Sequence, residues 1–520
     1  MRPSPRTRRV AAGAVCVVGA GVVAEAAGRL AESDEHSPGT IAAVLMGSIV
    51  AVGGGLLAVA PERWWRPLLS GVDRIDSRIR AGQPPHSSRA GVALIFLGCV
   101  VYTVLLALHL PHQPDPSTDD QGAYLEVARQ IRDNGGIPGL VASLYAGEFA
   151  EANRHPLYLA ILSVAPTESA GRLISQIIGA MSLIGFTLVT ARRSGWLTAG
   201  LFCVLLATND AFCQFSTRVV CEVLLTAVCG AVWFAVLNRD STENETAGRR
   251  GSKLGRHALI GALLGLAYLA KGTGLLVALA YFVWLFLSGL MPRERPAQES
   301  KDPGRPDDSA RRRRRLPWMA AACTVVTFVV IASPLLVRNV RRFHNPFYNV
   351  NSLLLFADDY SQFEGMVASG TTTAEAADAY FATHSVFDVV QREVSGVVWE
   401  LFIILRSLGP TPLDDARVLF GAGFLLCALF TLCALGRWAD GLLVVWGLLF
   451  WVVFAWYVPI AAGERFVLPL LIPMLSCTAE GIARLVCGPD GTAARRLAWG
   501  AAGWAVFWVV MTGLFVGGFG

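Results

Sequence analysis

An acidic pair, Asp119 and Asp120, directly precedes a stretch from Ala123 to Arg132 whose apolar residues have helical spacing. A carboxylate in this position can accept a proton from a hydroxyl group, which is the task of a general base. The structural alternative is an ordinary helix cap, for which Asp is a favoured residue. Taken alone, the acidic pair fits either role. The choice between a general base and a helix cap therefore depends on the other polar residues of the chain.

Three basic residues have the type and position to hold an anion: Lys271, Arg338 and Arg465. Each stands at one end of a predicted apolar span, where a charge costs far less than at the bilayer centre. A phosphate group is an anion that such cations bind through charge-assisted hydrogen bonds. The alternative for each of them is that the long side chain merely extends to the membrane surface.

Five further residues are weaker candidates for substrate binding: Tyr124, Arg154, Glu222, Tyr348 and Glu464. For Glu222 the alternative is an ion pair with Arg218, one helical turn away. For the two tyrosines it is anchoring at the membrane interface. The sequence shows no cofactor motif, and it leaves open whether Asp119 or Asp120 also holds a divalent cation.

The composition decides which elements position these residues. The chain has 520 residues, of which 54% are hydrophobic and 16% charged, whereas globular domains average about 25% charged residues. Since lipid tolerates only helices and closed barrels, this indicates an all-α polytopic membrane protein and excludes a soluble enzyme. Runs of about 20 apolar residues are long enough to cross a bilayer. Thirteen spans are predicted, at 10–29, 41–60, 90–110, 171–191, 195–208, 219–237, 256–270, 273–290, 317–337, 418–436, 441–460, 466–486 and 498–518.

The distribution of Lys and Arg predicts the sidedness. Loops 62–89, 238–255 and 291–316 are rich in these residues and are therefore predicted to be cytoplasmic. The two long loops, about 111–170 and 338–417, then lie outside the cell membrane, and an apolar segment near 395–408 is predicted to be an interfacial helix. The basic residues mark topology in this interpretation, so no nucleic-acid partner is expected.

Several short motifs follow one another along the chain. They are Asp119-Asp120 with Tyr124, Arg154-His155-Pro156-Leu157-Tyr158, Ala267-Tyr268-Leu269-Ala270-Lys271-Gly272, Arg338-Asn339, Asn345-Pro346-Phe347-Tyr348 and Glu464-Arg465-Phe466-Val467-Leu468-Pro469. Their order over residues 90–487 resembles the GT-C glycosyltransferases that use polyprenyl-phosphate sugars. The branch with the protein O-mannosyltransferases and the lipid A aminoarabinose transferases is the most similar. One departure is His155, which replaces the first Pro of a Pro-Pro pair.

The resemblance implies transfer of a hexosyl or pentosyl unit from a polyprenyl-phosphate donor to an extracytoplasmic acceptor, which is a protein, a lipid or a cell-wall glycan. It implies inversion at the anomeric carbon, with Asp120 as the base and Asp119 second, and a phosphate held by the three cations. It also places the enzyme in the plasma or inner membrane, among lipid, with its site on the outer face. The core is 90–487, preceded by a two-span addition in 1–89 and followed by a last span in 488–520.

Two other functions are alternatives to glycosyl transfer. A transporter or flippase of a lipid-linked saccharide is the main alternative, and a membrane scaffold is the second. Transporters usually show internal repeats and polar residues near the bilayer midplane. Here no repeat of fixed period is evident and the charged residues gather at the ends of spans, which favours the glycosyltransferase.

Overall fold

The computed structural model describes residues 85–110, 120–242, 250–290, 308–410, 414–457 and 463–486. Asp119 and the predicted spans 10–29, 41–60 and 498–518 lie outside these ranges, as do most of the segments 1–89 and 488–520. The described α-helices are α1 (Pro85–His109), α2 (Asp120–Asp133), α3 (Gly136–Ala146), α4 (Pro156–Leu162), α5 (Glu168–Ser194), α6 (Trp196–Ala207), α7 (Asp210–Ser216), α8 (Glu222–Thr242), α9 (Arg250–Ala270), α10 (Gly274–Leu290), α11 (Asp308–Phe343), α12 (Tyr360–Ser369), α13 (Thr373–Thr383), α14 (Val386–Leu408), α15 (Asp414–Leu435), α16 (Trp438–Tyr457) and α17 (Leu468–Val486). Two short 3₁₀ helices, Val350–Phe356 and Glu464–Phe466, complete them.

The predicted fold class, an all-α polytopic membrane protein, is confirmed for the described residues. Five helices are long and apolar enough to cross a membrane: Arg89–His109, Glu168–Ser194, Met319–Phe343, Arg417–Leu435 and Trp438–Tyr457. Several shorter apolar helices pack among them, including α6 and α10. Helices satisfy their own backbone groups, which is why a chain of this composition folds in this way. The count of thirteen spans and the extent of the outer loops stay predictions.

One helix is longer than the sequence indicates. The segment 291–316 is predicted as a solvated linker, but α11 begins inside it at Asp308 and runs for 36 residues to Phe343. The arginine run 311–315 is therefore helical. Arg is a good helix former, and the first Pro after the helix start is Pro317, so nothing in that run interrupts the helix.

Glycines let the spans approach closely. A Cβ added to Gly91 of α1 would lie 2.1 Å from the backbone oxygen of Trp196, at the start of α6. A Cβ added to Gly261 of α9 would lie 2.4 Å from the backbone oxygen of Thr324 in α11. Small residues at helix contacts are typical of membrane bundles, where close packing of backbones drives association.

The segment between α11 and α15 is specified largely by local interactions. α13 begins with a capping box between Thr372 and Glu375, and α14 begins with another between Ser385 and Asp388. In such a box the side chain of the cap residue accepts a hydrogen bond from the backbone N–H three residues later. The side chain of that third residue accepts a hydrogen bond from the backbone N–H of the cap residue. α14 has 23 residues and packs against α15 and α16. It contains the segment 395–408, whose interfacial position stays a prediction.

Candidate active site

Asp120 is the first residue of α2, as the sequence predicts for the acidic pair. The next residue fixes its position. Gln121 is fully buried, and its Oε1 accepts a hydrogen bond of 2.9 Å from the backbone N–H of Val219. Because Val219 lies just before α8, this bond holds the start of α2 against the start of α8. The polar residues at these two helix starts are brought together in this way.

Two arginines hold the Asp120 carboxylate, one on each oxygen. Arg154 Nη2 lies 3.2 Å from Oδ1, and Arg465 Nη1 lies 3.0 Å from Oδ2. The Asp120 side chain is nevertheless 36% exposed and that of Arg465 is 42% exposed. This pairing joins residues 345 positions apart in the chain, and it leaves the carboxylate open to a ligand.

Glu222, at the start of α8, lies beside this pair. Its Oε1 is 2.7 Å from Lys271 Nζ and 3.5 Å from Arg465 Nε. The predicted alternative, an ion pair with Arg218, is therefore not the arrangement found, because the Arg218 guanidinium lies over the ring of Phe215. Arg465 bridges both carboxylates. We refer to Asp120, Arg154, Glu222, Lys271 and Arg465 as the Asp120 cluster.

A buried histidine positions Lys271. His155 Nδ1 donates a hydrogen bond of 2.5 Å to the backbone oxygen of Tyr268, three residues before Lys271. Burial lowers the pKa of His155 to about 4, so the ring is neutral at physiological pH. A Cβ on Gly272 would lie 2.3 Å from Asn349 Nδ2, so the Asn349 side chain would have to move to accept one. The Lys-Gly motif thus reflects a close approach of the chain after α9 to the segment after α11.

Arg338 lies in a different environment, near the end of α11. Its side chain is 2% exposed, with its guanidinium 5.9 Å from the ring of Phe149 and 5.2 Å from that of Phe343. Its Nε and Nη1 atoms have no hydrogen-bond partner among the described residues. Burying a guanidinium whose N–H groups lack hydrogen-bond partners is costly, so the role of Arg338 in binding an anion stays a prediction.

The two predicted tyrosines have mainly structural contacts. Tyr124 is buried, its hydroxyl donates to Cys221 Sγ at 3.0 Å, and Arg154 lies over its ring. Tyr348 stacks on Phe343 with ring centroids 3.8 Å apart. It therefore lies next to Arg338 through their common neighbour and not in the Asp120 cluster.

Asn339 explains why an Arg-Asn pair precedes the Asn-Pro-Phe-Tyr motif. It is fully buried, and its Nδ2 donates to the backbone oxygens of Pro346 at 3.0 Å and Tyr348 at 3.2 Å. One amide thereby closes the turn that follows α11. Sequence reasoning missed this role, as it did those of Gln121 and His155.

Glu464 faces away from the Asp120 cluster and into a second group of charges. Its Oε2 is 2.6 Å from Arg417 Nη2, and its Oε1 is 3.2 Å from Arg406 Nε. Arg417 Nη1 also lies 3.0 Å from Asp210 Oδ2. Burial raises the pKa of Glu464, although the arginines opposite act against the shift. Sequence reasoning missed Arg417, because a charge directly before an apolar span is common without any binding role.

The described residues contain no group of three or more His, Cys, Asp or Glu side chains that could hold a metal ion. Asp119, one of the two predicted ligands, lies outside those residues. An ion at Asp119 or Asp120 therefore stays a prediction. The described members of the site are mostly cations, which suits the binding of anionic oxygens directly.

No family model matches the chain, and no curated protein matches it. Among solved structures, ArnT from Cupriavidus metallidurans bound to undecaprenyl phosphate aligns at 17% identity over 82% of this chain and 64% of that one, with a TM-score of 0.46. The oligosaccharyltransferase AglB from Archaeoglobus fulgidus, in complex with an inhibitory peptide and a dolichol-phosphate, aligns at 11% identity over 81% and 55%, with a TM-score of 0.44. Both neighbours are GT-C glycosyltransferases.

This is the class that the order of sequence motifs resembles. The chain spans less than two thirds of the length of the structures that it matches. Since the identities and the TM-scores are low, the function proposed below depends on the residues of this chain and not on the likeness.

Proposed function

We propose that this protein is a membrane glycosyltransferase that moves a monosaccharide from a polyprenyl-phosphate donor to an extracytoplasmic acceptor. The observation that supports it best is the Asp120 cluster itself. The partly exposed Asp120 carboxylate lies between Arg154 and Arg465, and Lys271 pairs with the adjacent Glu222. This is the pairing of base and electrophilic groups that glycosyl transfer from a phosphate requires.

Asp120 acts as the general base. It takes the proton of the acceptor hydroxyl as the hydroxyl oxygen attacks the anomeric carbon of the donor sugar. The bond between that carbon and the phosphate oxygen breaks, and its electron pair leaves with the polyprenyl phosphate. Attack opposite the leaving group inverts the configuration of the sugar. Arg154 and Arg465, one on each oxygen, orient the carboxylate for this step.

The departing phosphate gains negative charge, and the cations stabilise it. Arg465 and Lys271 lie together at Glu222, so they form one side of this site. Arg338 supplies the other side of the phosphate site. Its guanidinium is buried, and two of its nitrogen atoms lack hydrogen-bond partners among the described residues. A charge-assisted hydrogen bond is about twice as strong as a neutral one, which suits cations to this task.

The proposed donor also requires the site to lie near the membrane surface. A polyprenyl chain is insoluble in water, and its phosphate must reach the site from the surface of the bilayer. Glu222 at the start of α8 and Lys271 after the end of α9 lie at one end of the bundle. The Lys and Arg distribution in the sequence supports assigning that end to the outer face of the cell membrane.

A reconstituted transfer assay tests the proposal. The purified full chain in liposomes is supplied with synthetic polyprenyl phosphates carrying mannose, galactose or arabinose, and with cell-envelope fractions as acceptors. Mass spectrometry identifies the product. We expect sugar transfer by the wild-type protein and its loss in Asp120→Asn.

A second measurement on the same liposomes separates the enzyme from a flippase. Movement of the fluorescent lipid-linked sugar between leaflets is followed by a membrane-impermeant quencher. Leaflet exchange without transfer, unchanged in Asp120→Asn, would replace the glycosyltransferase by the transporter.

A further inference from the structure

A second polar pocket shares Arg465 with the Asp120 cluster. It has a volume of about 360 Å³, within the range of about 300–1,000 Å³ that small-molecule sites occupy. Six other side chains line the pocket: Asp210, Gln214, Phe215, Arg406, Arg417 and Glu464. We refer to it as the Arg417 pocket, and the reaction described above uses none of these six residues.

Arg417 joins the two carboxylates of the pocket. Its guanidinium is 3.0 Å from Asp210 and 2.6 Å from Glu464, and its side chain is only 2% exposed. Well-packed apolar residues often stabilise a protein as well as a buried ion pair or better. The stability of the bundle is therefore a weak reason for charged walls at this place, and a polar ligand is a stronger one.

The wall of the pocket is held in place by several helices. Asn209, directly before α7, donates from Nδ2 to the backbone oxygen of Ser407 at 2.8 Å, which ties Asp210 to the end of α14. Arg417 belongs to α15, and Glu464 begins the 3₁₀ turn before α17. Groups fixed by separate packed elements are pre-organised, which reduces the entropy lost when a ligand binds.

The wall chemistry fits a neutral, hydroxyl-rich ligand. Carboxylates accept hydrogen bonds from hydroxyl groups, and the guanidinium groups and the Gln214 amide donate to them. Phe215 contributes apolar surface for the C–H face of a sugar ring. The carboxylates of Asp210 and Glu464 would repel an anion and offset the attraction of Arg406 and Arg417, while the third arginine, Arg465, is paired with Asp120 and Glu222. A neutral sugar fits this balance better than a phosphate does.

We propose that the Arg417 pocket binds a neutral sugar unit of the acceptor and presents one of its hydroxyl groups to Asp120. This inference rests on the proposed glycosyl transfer and names its acceptor class as a saccharide. The link is the 3₁₀ turn, where Glu464 lines the pocket and the adjacent Arg465 lies 3.0 Å from Asp120. The Arg465 side chain thus contacts both the pocket and the base.

Binding of disaccharides, measured without any transfer, tests the pocket directly. The probes are neutral disaccharides of mannose, galactose and arabinose, together with phosphorylated forms of each, and the readout is the Kd from tryptophan fluorescence of the full chain in nanodiscs. We expect at least one neutral disaccharide to bind and its phosphorylated form to bind less well. Gln214→Leu should raise its Kd about tenfold through lost hydrogen bonds.

A matched control keeps the test specific. Arg172 lies on α5, pairs with Glu168 and lines a different cavity, so Arg172→Gln should leave the Kd unchanged. Where transfer is measured, Gln214→Leu should raise the KM for the saccharide acceptor about tenfold and leave the KM for the donor within about twofold.

Failure of this inference and failure of the proposed function give different results. Wild-type transfer to a polypeptide, with an acceptor KM that Gln214→Leu does not change, would overturn the pocket and keep the glycosyltransferase. Saccharide binding in the pocket with no transfer from any donor would overturn the enzyme. No binding of any neutral disaccharide would overturn the pocket.

Discussion

Two clusters of charge lie near the two ends of α17, a helix of 19 residues that is about 28 Å long. The Asp120 cluster lies before its start, and a second cluster of Arg437, Asp440, Glu480 and Arg484 lies near its end. The contacts are similar in length, since Arg437 is 2.9 Å from Asp440 and 2.8 Å from Glu480. Exposure differs, because Asp440 is 4% and Glu480 14% exposed whereas Asp120 is 36% exposed. Contact distance alone therefore does not distinguish the two clusters, whereas the exposure of Asp120 does.

The largest expected effect is on turnover in Asp120→Asn. Asn caps a helix about as well as Asp, so folding should be retained, but it cannot accept the proton of the acceptor. Turnover should fall by about two to four orders of magnitude. The control is Glu126→Gln on the same helix, which removes an exposed carboxylate paired only with Arg129 and Gln130.

Normal transfer by Asp120→Asn would end its role as the base. If Asp119→Asn were inactive in the same assay, the base would move by one residue.

The second cluster should respond in the opposite way. Glu480→Gln removes the partner of both Arg437 and Arg484 inside the bundle. Breaking a buried pair costs about 3 kcal/mol of folding free energy, so the melting temperature in detergent should fall while turnover per folded molecule stays the same. A drop in turnover without a change in melting temperature would show that this cluster is not merely structural.

Lys271→Ala should weaken donor use, because it removes one charge-assisted contact to the phosphate. The expected loss in kcat/KM for the donor is about ten- to a hundredfold. It also removes one of the two cations at Glu222, whose side chain is 4% exposed, so the protein should become less stable.

The double variant Lys271→Ala/Glu222→Gln separates these two effects. It removes the buried charge with its partner and should recover the melting temperature but not the donor kinetics. Recovery of both would mean that Lys271 acts only by supporting Glu222.

The smallest effect concerns His155. Burial lowers its pKa from 6.5 to about 4, so between these values the unfolded chain binds a proton that the folded chain does not. Stability should therefore decrease as the pH falls from 6.5 towards 4 and level off below. Thermal melts across this range check the slope, and His155→Gln should reduce it. If stability depends on pH as steeply in His155→Gln as in the wild-type protein, His155 does not cause the loss of stability in acid.

Local sequence predicted part of this site well. The start of α2 at Asp120 and the end of α9 before Lys271 follow from helix signals within a few residues. The pairing of Arg465 with Asp120 could not be predicted in the same way, because it depends on how α17 packs in the bundle. Two neighbouring residues show what local sequence cannot predict. The sequence predicts phosphate binding for Arg465 and substrate binding for Glu464, and the two residues contact two different clusters.

The burial of Arg338 also lay beyond the sequence. From its place at the end of a span, the sequence predicts that the Arg338 side chain extends to the membrane surface or binds phosphate. Both predictions leave the guanidinium accessible. In the structure Phe149, from the segment after α3, packs beside it. That contact joins positions far apart in the chain, and no pattern within α11 indicates it.

The 3₁₀ turn Glu464–Phe466 has a thermodynamic consequence. Glu464 belongs to one set of charges and Arg465 to the other, and both lie in a single turn of three residues. A molecule that shifts the turn from the Asp210 side must change the energy of the contacts on the Asp120 side. Linkage makes such coupling reciprocal, so if one ligand tightens the binding of a second by some factor, the second tightens the first by the same factor. We therefore expect a ligand of the Arg417 pocket and a ligand of the Asp120 cluster to change each other's affinity through this turn.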